Sequence, residues 1–321
     1  AVFFAPFWIK KAKDIGLVWD DMNKNRSDKV SGSGGIVVII SFVVGVFLFI
    51  GYRTFGLNTQ ENLVGIFAML TVTILLGGIG LIDDLLGWRR GGLSIISRVI
   101  LVFFAAIPLI VINAGKGLVA LPFFGAFDLG IIYPLIIVPL GIIGATTTFN
   151  ILAGFNGLEA GQGIILLSAL GLVGFLVGES WILVIALIMV ASLLGFIIYN
   201  FYPAKVFPGD SLTYAVGGLI AILPILGNFE KVAVFFYLPY IFEVILKSRG
   251  GLKKYSFAKP NIDGTIGQRY DRFYSLNHVA IFVLGKIGIK QTEKNAVYSI
   301  WVFQLLFVVI GFIIFRNSLF A

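Results

Sequence analysis

NLVGIFAMLTVTILLGGIGLIDDLLGWRRGG, residues 62–92, decides the fold. Up to Ile82 the stretch carries no charge and is about as long as the ~20-residue helix that crosses a bilayer core. Asp83, Asp84, Arg89 and Arg90 then follow together. The pattern recurs along a chain of 321 residues that is 59% hydrophobic and only 12% charged, with a mean hydropathy of +1.01. Spans are expected near 34–51, 62–82, 95–113, 131–151, 161–178, 181–199, 212–228, 231–246 and 299–320. The opening AVFFAPFW reads as the tail of a further span, for a total of ten. The expected fold is therefore all-α: a polytopic membrane protein of about ten transmembrane helices, forming one membrane domain over 1–321. Within it, 247–298 is a long basic loop segment.

Taking the loops alternately, 20 of the 24 Lys and Arg residues fall on one side. They include Lys10, Lys11, Lys13, Lys24, Arg26, Lys29, Arg98, Lys205 and the cations of 247–298, whereas Arg53, Lys116, Lys231 and Arg316 fall on the other. That bias orients the rich side toward the cytoplasm. The net charge of +8 follows from such loops and is not organised as a nucleic-acid module, so no nucleic acid is expected as a partner. The absence of Cys excludes disulfides, thiolate metal sites and Cys nucleophiles.

Three polar clusters interrupt the apolar runs, all on the basic side: one around Asp83-Asp84, then FNILAGFNGLEAGQG from Phe149, then NFYPAKVFPGDSLTY from Asn200. Adjacent carboxylates repel unless a cation lies near, and Arg89 or Arg90 could supply it. The pair reads either as a helix-end charge cluster or as a cation- or phosphate-handling site. The second cluster has more amides and glycines than a tight loop needs, with the Asn156-Gly157 turn at its centre. Broken helices of this kind line polar cavities, because their freed amides need partners. Asp210 follows Pro208-Gly209 at a helix start, where it could act merely as a cap. Phe207 is core by default or could stack on a base. Asp83, Asp84, Asn150, Glu159 and Asp210 together offer the hard oxygens that suit Mg²⁺ with substrate phosphates in its shell. Glu243 and Lys247 have the spacing of a helical ion pair, and the lone His278 sits in an apolar stretch too short to span and is expected to be structural.

NILAGFNGLEAGQ, residues 150–162, resembles the signature of the eukaryotic and archaeal UDP-N-acetylglucosamine–dolichyl-phosphate N-acetylglucosamine-1-phosphate transferases. These belong to the polyprenyl-phosphate sugar-1-phosphate transferase superfamily. Asp21-Met22-Asn23-Lys24 is similar to the family's early DxNK element, Asp83-Asp84 to its paired aspartates, and Val206-Phe207-Pro208-Gly209-Asp210 to its FxGD element. The resemblance implies transfer of GlcNAc-1-phosphate from UDP-GlcNAc to dolichyl phosphate with release of UMP. It implies Mg²⁺ (with Mn²⁺ as an alternative) on Asn150 and Asp210, and uracil between Phe207 and Gly154 with Asn156 bonded to it. Lys24, Asp83 and Asp84 would be the catalytic group. Asp21, Asn23 and Glu159 are further phosphate or sugar contacts on this reading, and Arg89, Arg249, Lys253 and Lys254 are chosen for their charge. The family's histidine-rich or arginine-rich loop motif is missing here, and Gly87-Trp88-Arg89-Arg90 matches imperfectly.

The acceptor phosphate, with its second pKa near ~6, needs no strong base to attack. Direct attack is therefore expected, although Asp83 or Asp84 could orient the acceptor, take a proton or be phosphorylated. The expected location is a cell membrane of an archaeon (the endoplasmic reticulum in a eukaryote), with membrane lipid around the chain, a homodimer left open, and tunicamycin as inhibitor. The nearer alternative is a relative using another UDP-sugar or undecaprenyl phosphate; a transporter would place its polar breaks near the midplane, in both halves of a repeat.

Overall fold

The structure is a computed structural model and describes residues 1–25, 29–115, 118–121 and 125–319, without the side chains of Arg89, Arg90, 118–121 and 125–127. Arg26 and Lys116 lie outside the described residues, and so does the side chain of Arg89.

Among the described residues, seven helices are long and apolar enough to cross a membrane. Helix α1, Phe4–Asp14, ends in Lys11 and Lys13. Helix α2 is Gly35–Gly51, continued by a π-helical turn to Gly56, and α3 is Leu63–Arg90. Helix α6, Val138–Ile151, is entered through a second π-helical turn from Tyr133. Then follow α7, Leu158–Leu176, α8, Ser180–Asn200, and α9, Gly209–Gly227. The last long helix is α13, Glu293–Ile314.

The expected spans 95–113 and 231–246 are each built from two shorter helices. Helix α4, Ile95–Ala105, gives way to α5, Ile107–Val111, and α10, Glu230–Phe236, to α11, Leu238–Ser248. Pro108 and Pro239 stand at the start of the second member of each pair. A proline there has no N–H to give the preceding turn, so the helix breaks and restarts. The loop 247–298 contains α12, Leu276–Lys286, and a short antiparallel pairing of 259–260 with 266–267, and outside it 18–20 pairs with 29–31.

Helix α9 is almost wholly buried and packs against α3, α6, α7 and α2. Its glycines make that approach close. A Cβ placed on Gly80 of α3 would strike the Asp210 carbonyl, and one on Gly35 would strike the Leu212 amide. Gly80→Ala is expected to destabilise the protein by about 1–3 kcal/mol, because the atom its Cβ would strike is rigid backbone. A thermal unfolding scan in detergent would test this: an unchanged midpoint would mean that α3 and α9 are not in contact as described.

The site-bearing ends of these helices coincide. The C-terminal ends of α3, α6 and α8 meet the N-terminal ends of α2, α7, α9 and α13. At this end Gly34 N donates to the Phe207 carbonyl (2.9 Å) and Asn200 Nδ2 to the Val206 carbonyl (3.0 Å).

Candidate active site

Consecutive positions on a helix point about 100° apart, so Asp83 and Asp84 face different neighbours. Asp83 turns to α4. Gly91 and Gly92 adopt left-handed φ of +85° and +81° and reverse the chain after α3. Ser94 then caps α4, its hydroxyl accepting from Ser97 N at 3.1 Å. The reversal returns Arg98 to Asp83, with Nε 2.6 Å from Oδ2 and Nη2 donating to Oδ1 at 3.1 Å. Leu93 N also donates to Oδ1, at 2.8 Å. Among the described side chains, the cation beside the first aspartate is Arg98. In the sequence it stood only among the basic loop residues, although it is the one charge in the apolar run 93–112.

Asp84 turns instead to α9. Its Oδ1 accepts from Asp210 N at 2.7 Å and its Oδ2 from Ser211 N at 3.3 Å. A helix start leaves such N–H groups without intrahelical partners, and here a carboxylate 126 residues away takes them. Gly209 has φ +71°, and a Cβ on it would collide with the Asp84 carboxylate. The cap of α9 is therefore Asp84, and the Asp210 side chain is freed for other work.

Asp210 Oδ1 accepts from Asn150 Nδ2 at 2.7 Å, and the same amide nitrogen donates to Thr213 Oγ1 at 2.8 Å. Residues from the end of α6 and the start of α9 thus meet side by side. Asp210 Oδ2 lies 4.0 Å from Arg98 Nη2. Among the described residues, no hydrogen bond reaches Asn150 Oδ1 or Asp210 Oδ2. Nor do the described residues include a group of three or more His, Asp or Glu able to cage a metal. A carboxylate and an amide oxygen fit a Mg²⁺ ion, which keeps several waters and shares its shell with substrate phosphates. They do not fit a closed structural site.

A second polar cluster surrounds the loop between α6 and α7. Asp21 Oδ2 pairs with Lys24 Nζ at 2.8 Å and accepts from Asn156 Nδ2 at 3.0 Å. Asn23 Nδ2 donates to the Gly154 carbonyl at 2.6 Å, while its Oδ1 accepts from Ala258 N at 3.0 Å. Glu159 Oε1 accepts from Gly154 N at 3.2 Å. Glu293, which no sequence motif singles out, accepts from Asn156 N at 2.7 Å. Asp21, Asn23 and Glu159 thus hold the loop. Lys24 belongs to this cluster, paired with Asp21 and lying 5.3 Å from the Tyr202 ring centre.

Other expected site residues are more dispersed. Phe207 is half-buried and bound by its backbone to Ser31 and Gly34. The ring beside Gly154 is Phe257, 3.4 Å from where a Cβ would stand. Arg249, Lys253 and Lys254 are exposed, and Lys254 lies over the rings of Tyr270 and Tyr274.

The Glu243–Lys247 ion pair does not form. Glu243 accepts from Leu276 N at the start of α12 at 2.6 Å, and Lys247 donates to the Lys254 carbonyl in the loop after α11 at 2.8 Å, so each has a backbone partner of its own. His278 is buried, its Nδ1 accepting from Tyr274 N at 3.3 Å. Burial pushes its imidazole down to about 4, which keeps it neutral and consistent with packing.

Arg98→Ala is expected to lower turnover by about 100-fold or more, since it removes a positive charge held beside two carboxylates at the candidate metal pair. Arg98→Lys should recover only part of that loss, because an ammonium cannot make both contacts of the planar fork. Initial rates on purified variants would decide; full activity in Arg98→Ala would remove Arg98 from the site.

Helices whose ends gather aspartates, amides and a guanidinium at one face of a membrane bundle define an enzyme acting on anionic groups at a lipid surface. Residues 66–228 match glycosyl transferase family 4, and the chain belongs to this family. A protein of Sulfolobus acidocaldarius is 34% identical over 303 residues, covering 93% of this chain and 88% of its own length. One of Dictyostelium discoideum is 30% identical over 261 residues, covering 69% and 62%. Both carry the name UDP-N-acetylglucosamine–dolichyl-phosphate N-acetylglucosaminephosphotransferase, in the archaeal case as a provisional assignment. A phospho-N-acetylmuramoyl-pentapeptide-transferase of Shouchella clausii is 31% identical over 243 residues, covering 72% and 71%.

Proposed function

We propose that this membrane enzyme transfers GlcNAc-1-phosphate from UDP-GlcNAc to dolichyl phosphate and releases UMP. The observation that carries the reading is the junction of Asn150 and Asp210 (2.7 Å) beside the Asp83–Arg98 pair, in a chain similar over most of its length to relatives bearing that enzyme name. The donor pyrophosphate and the acceptor phosphate are both anionic, so their approach needs positive charge more than it needs a base. Arg98 supplies a fixed cation, and Lys24 supplies a second near the loop 152–157. Asn150 and Asp210 would hold Mg²⁺, which when bound supplies charge neutralisation and Lewis acidity at the pyrophosphate. The uracil would lie at Gly154 and Asn156, with Phe207 or Phe257 as its stacking ring. The excess of Lys and Arg on the site's side supports a reaction at the cytoplasmic face of the cell membrane.

Radiolabelled UDP-GlcNAc and a dolichyl phosphate extract, with and without Mg²⁺, provide the test. Lipid-linked product, released UMP and inhibition by tunicamycin are the expected results; release of UDP would mean ordinary glycosyl transfer. The likeness to the Shouchella protein supports a second reading, in which undecaprenyl phosphate or another UDP-sugar is used. Substituting those substrates in the same assay separates the two.

A further inference from the structure

The amide of Asn156 is set by its surroundings. A carboxylate can only accept, so the atom facing Asp21 Oδ2 at 3.0 Å must be the nitrogen, and the oxygen must point the other way. Asp21 is itself held, by Asn23 N on Oδ1 (3.1 Å) and by Lys24 on Oδ2 (2.8 Å). The backbone cannot turn to compensate. Glu293 grips Asn156 N, and Glu159 and Asn23 grip the N–H and the carbonyl of Gly154. Asp21, Asn156, Glu159 and Glu293 are all buried. Among the described residues, no hydrogen bond reaches Asn156 Oδ1.

We propose that Asp21 is a positioning residue that fixes Asn156 as a hydrogen-bond acceptor, so that the site selects a nucleobase with an imide N–H on its pairing edge. This rests on the UDP-sugar reading above and adds the atom that makes the choice. Uracil presents N3–H, which the oxygen accepts. Cytosine presents a bare N3 lone pair, which the oxygen repels, and its 4-amino group could reach the oxygen only if the ring slid along a loop held at four points. A free Asn would rotate its amide and take either base. The carboxylate 135 residues earlier in the chain removes that freedom.

The test is competition binding on the full chain in detergent, displacing labelled UDP with UDP, CDP and N3-methyl-UDP. In the unaltered protein CDP and N3-methyl-UDP are expected to bind at least about tenfold more weakly than UDP, the scale of leaving a polar group unpaired. In Asp21→Asn the preference for UDP over CDP should shrink by about tenfold, because the new amide can present either face and lets Asn156 turn. Asp21→Glu, which retains an acceptor-only partner, should restore the preference. Asp21→Ser is the second variant should Asp21→Asn not fold, since its hydroxyl also donates and likewise releases the amide. An unaltered protein that binds UDP and CDP equally well overturns the inference, as does an undiminished preference in Asp21→Asn or Asp21→Ser. A protein that binds no UDP overturns the donor assignment itself, a separate outcome from UDP binding without base discrimination.

Discussion

Asp210→Ala is expected to reduce transfer by about 10³-fold, with little change in the amount of folded protein. The loss follows from how the site divides its work. Asp210 sits in the first turn of α9 but does not cap it, because Asp84 takes the N–H groups of Asp210 and Ser211. Its own carboxylate is spent on one contact, the Asn150 amide at 2.7 Å, leaving Oδ2 toward Arg98 at 4.0 Å. Removing it therefore costs the fold little and the site a negative charge. Asn150→Ala should share the phenotype in milder form, since a neutral amide oxygen contributes less to a hard cation than a carboxylate does. The discriminating measurement is a Mg²⁺ titration of activity. Both variants should need more Mg²⁺ than the unaltered protein for half-maximal rate. If residual activity in both keeps the unaltered Mg²⁺ dependence, the metal is held elsewhere.

The sequence made the bundle legible because uncharged runs near bilayer length have few alternative folds. Where prolines intervened the reading blurred: runs 95–113 and 231–246 look continuous by hydropathy but break at Pro108 and Pro239. Asn150 and Asp210 were singled out through the family resemblance, and the structure brings them together from the end of α6 and the start of α9. Their partners were harder to read. Arg98 lies in an apolar run and finds Asp83 only because Gly91 and Gly92 reverse the chain, and nothing in the local pattern specifies that reversal's direction. Glu293 opens a helix 137 residues from the amide it holds. Separations of that size leave no trace in periodicity, and composition gives no hint of which buried carboxylate serves which loop. Asp21 and Asn23 illustrate the same limit from the other side. Their likeness to the family's DxNK element marked them as substrate contacts, but their geometry makes them supports of the 154–157 loop.

The paired aspartates make the sharpest case for geometry over pattern, because neighbours of identical chemistry have opposite duties. Asp84→Ala is expected to lose activity by about 100-fold or more and also to lower stability by about 1–2 kcal/mol, the cost of an N-cap. With the cap gone, two amides at the mouth of α9 lose their acceptor, and the turn that carries Asp210 shifts. A displacement of ~1 Å in a positioning element is enough for a rate loss of that order. Asp83→Asn should act differently. It leaves α9 capped and weakens the hold on Arg98, so turnover should fall with a smaller effect on thermal unfolding. Asp84→Asn should fall between, since its oxygen can still accept one of the two N–H groups but its nitrogen cannot accept the other. A thermal scan alongside initial rates separates the pair. The same geometry argues against a phosphoryl-aspartate at Asp84: both of its oxygens already accept N–H groups that an acyl phosphate there would displace. Isolating a phosphorylated Asp84 after reaction with the nucleotide donor would overturn this division of labour, and so would an Asp84→Ala protein that unfolds at the unaltered temperature.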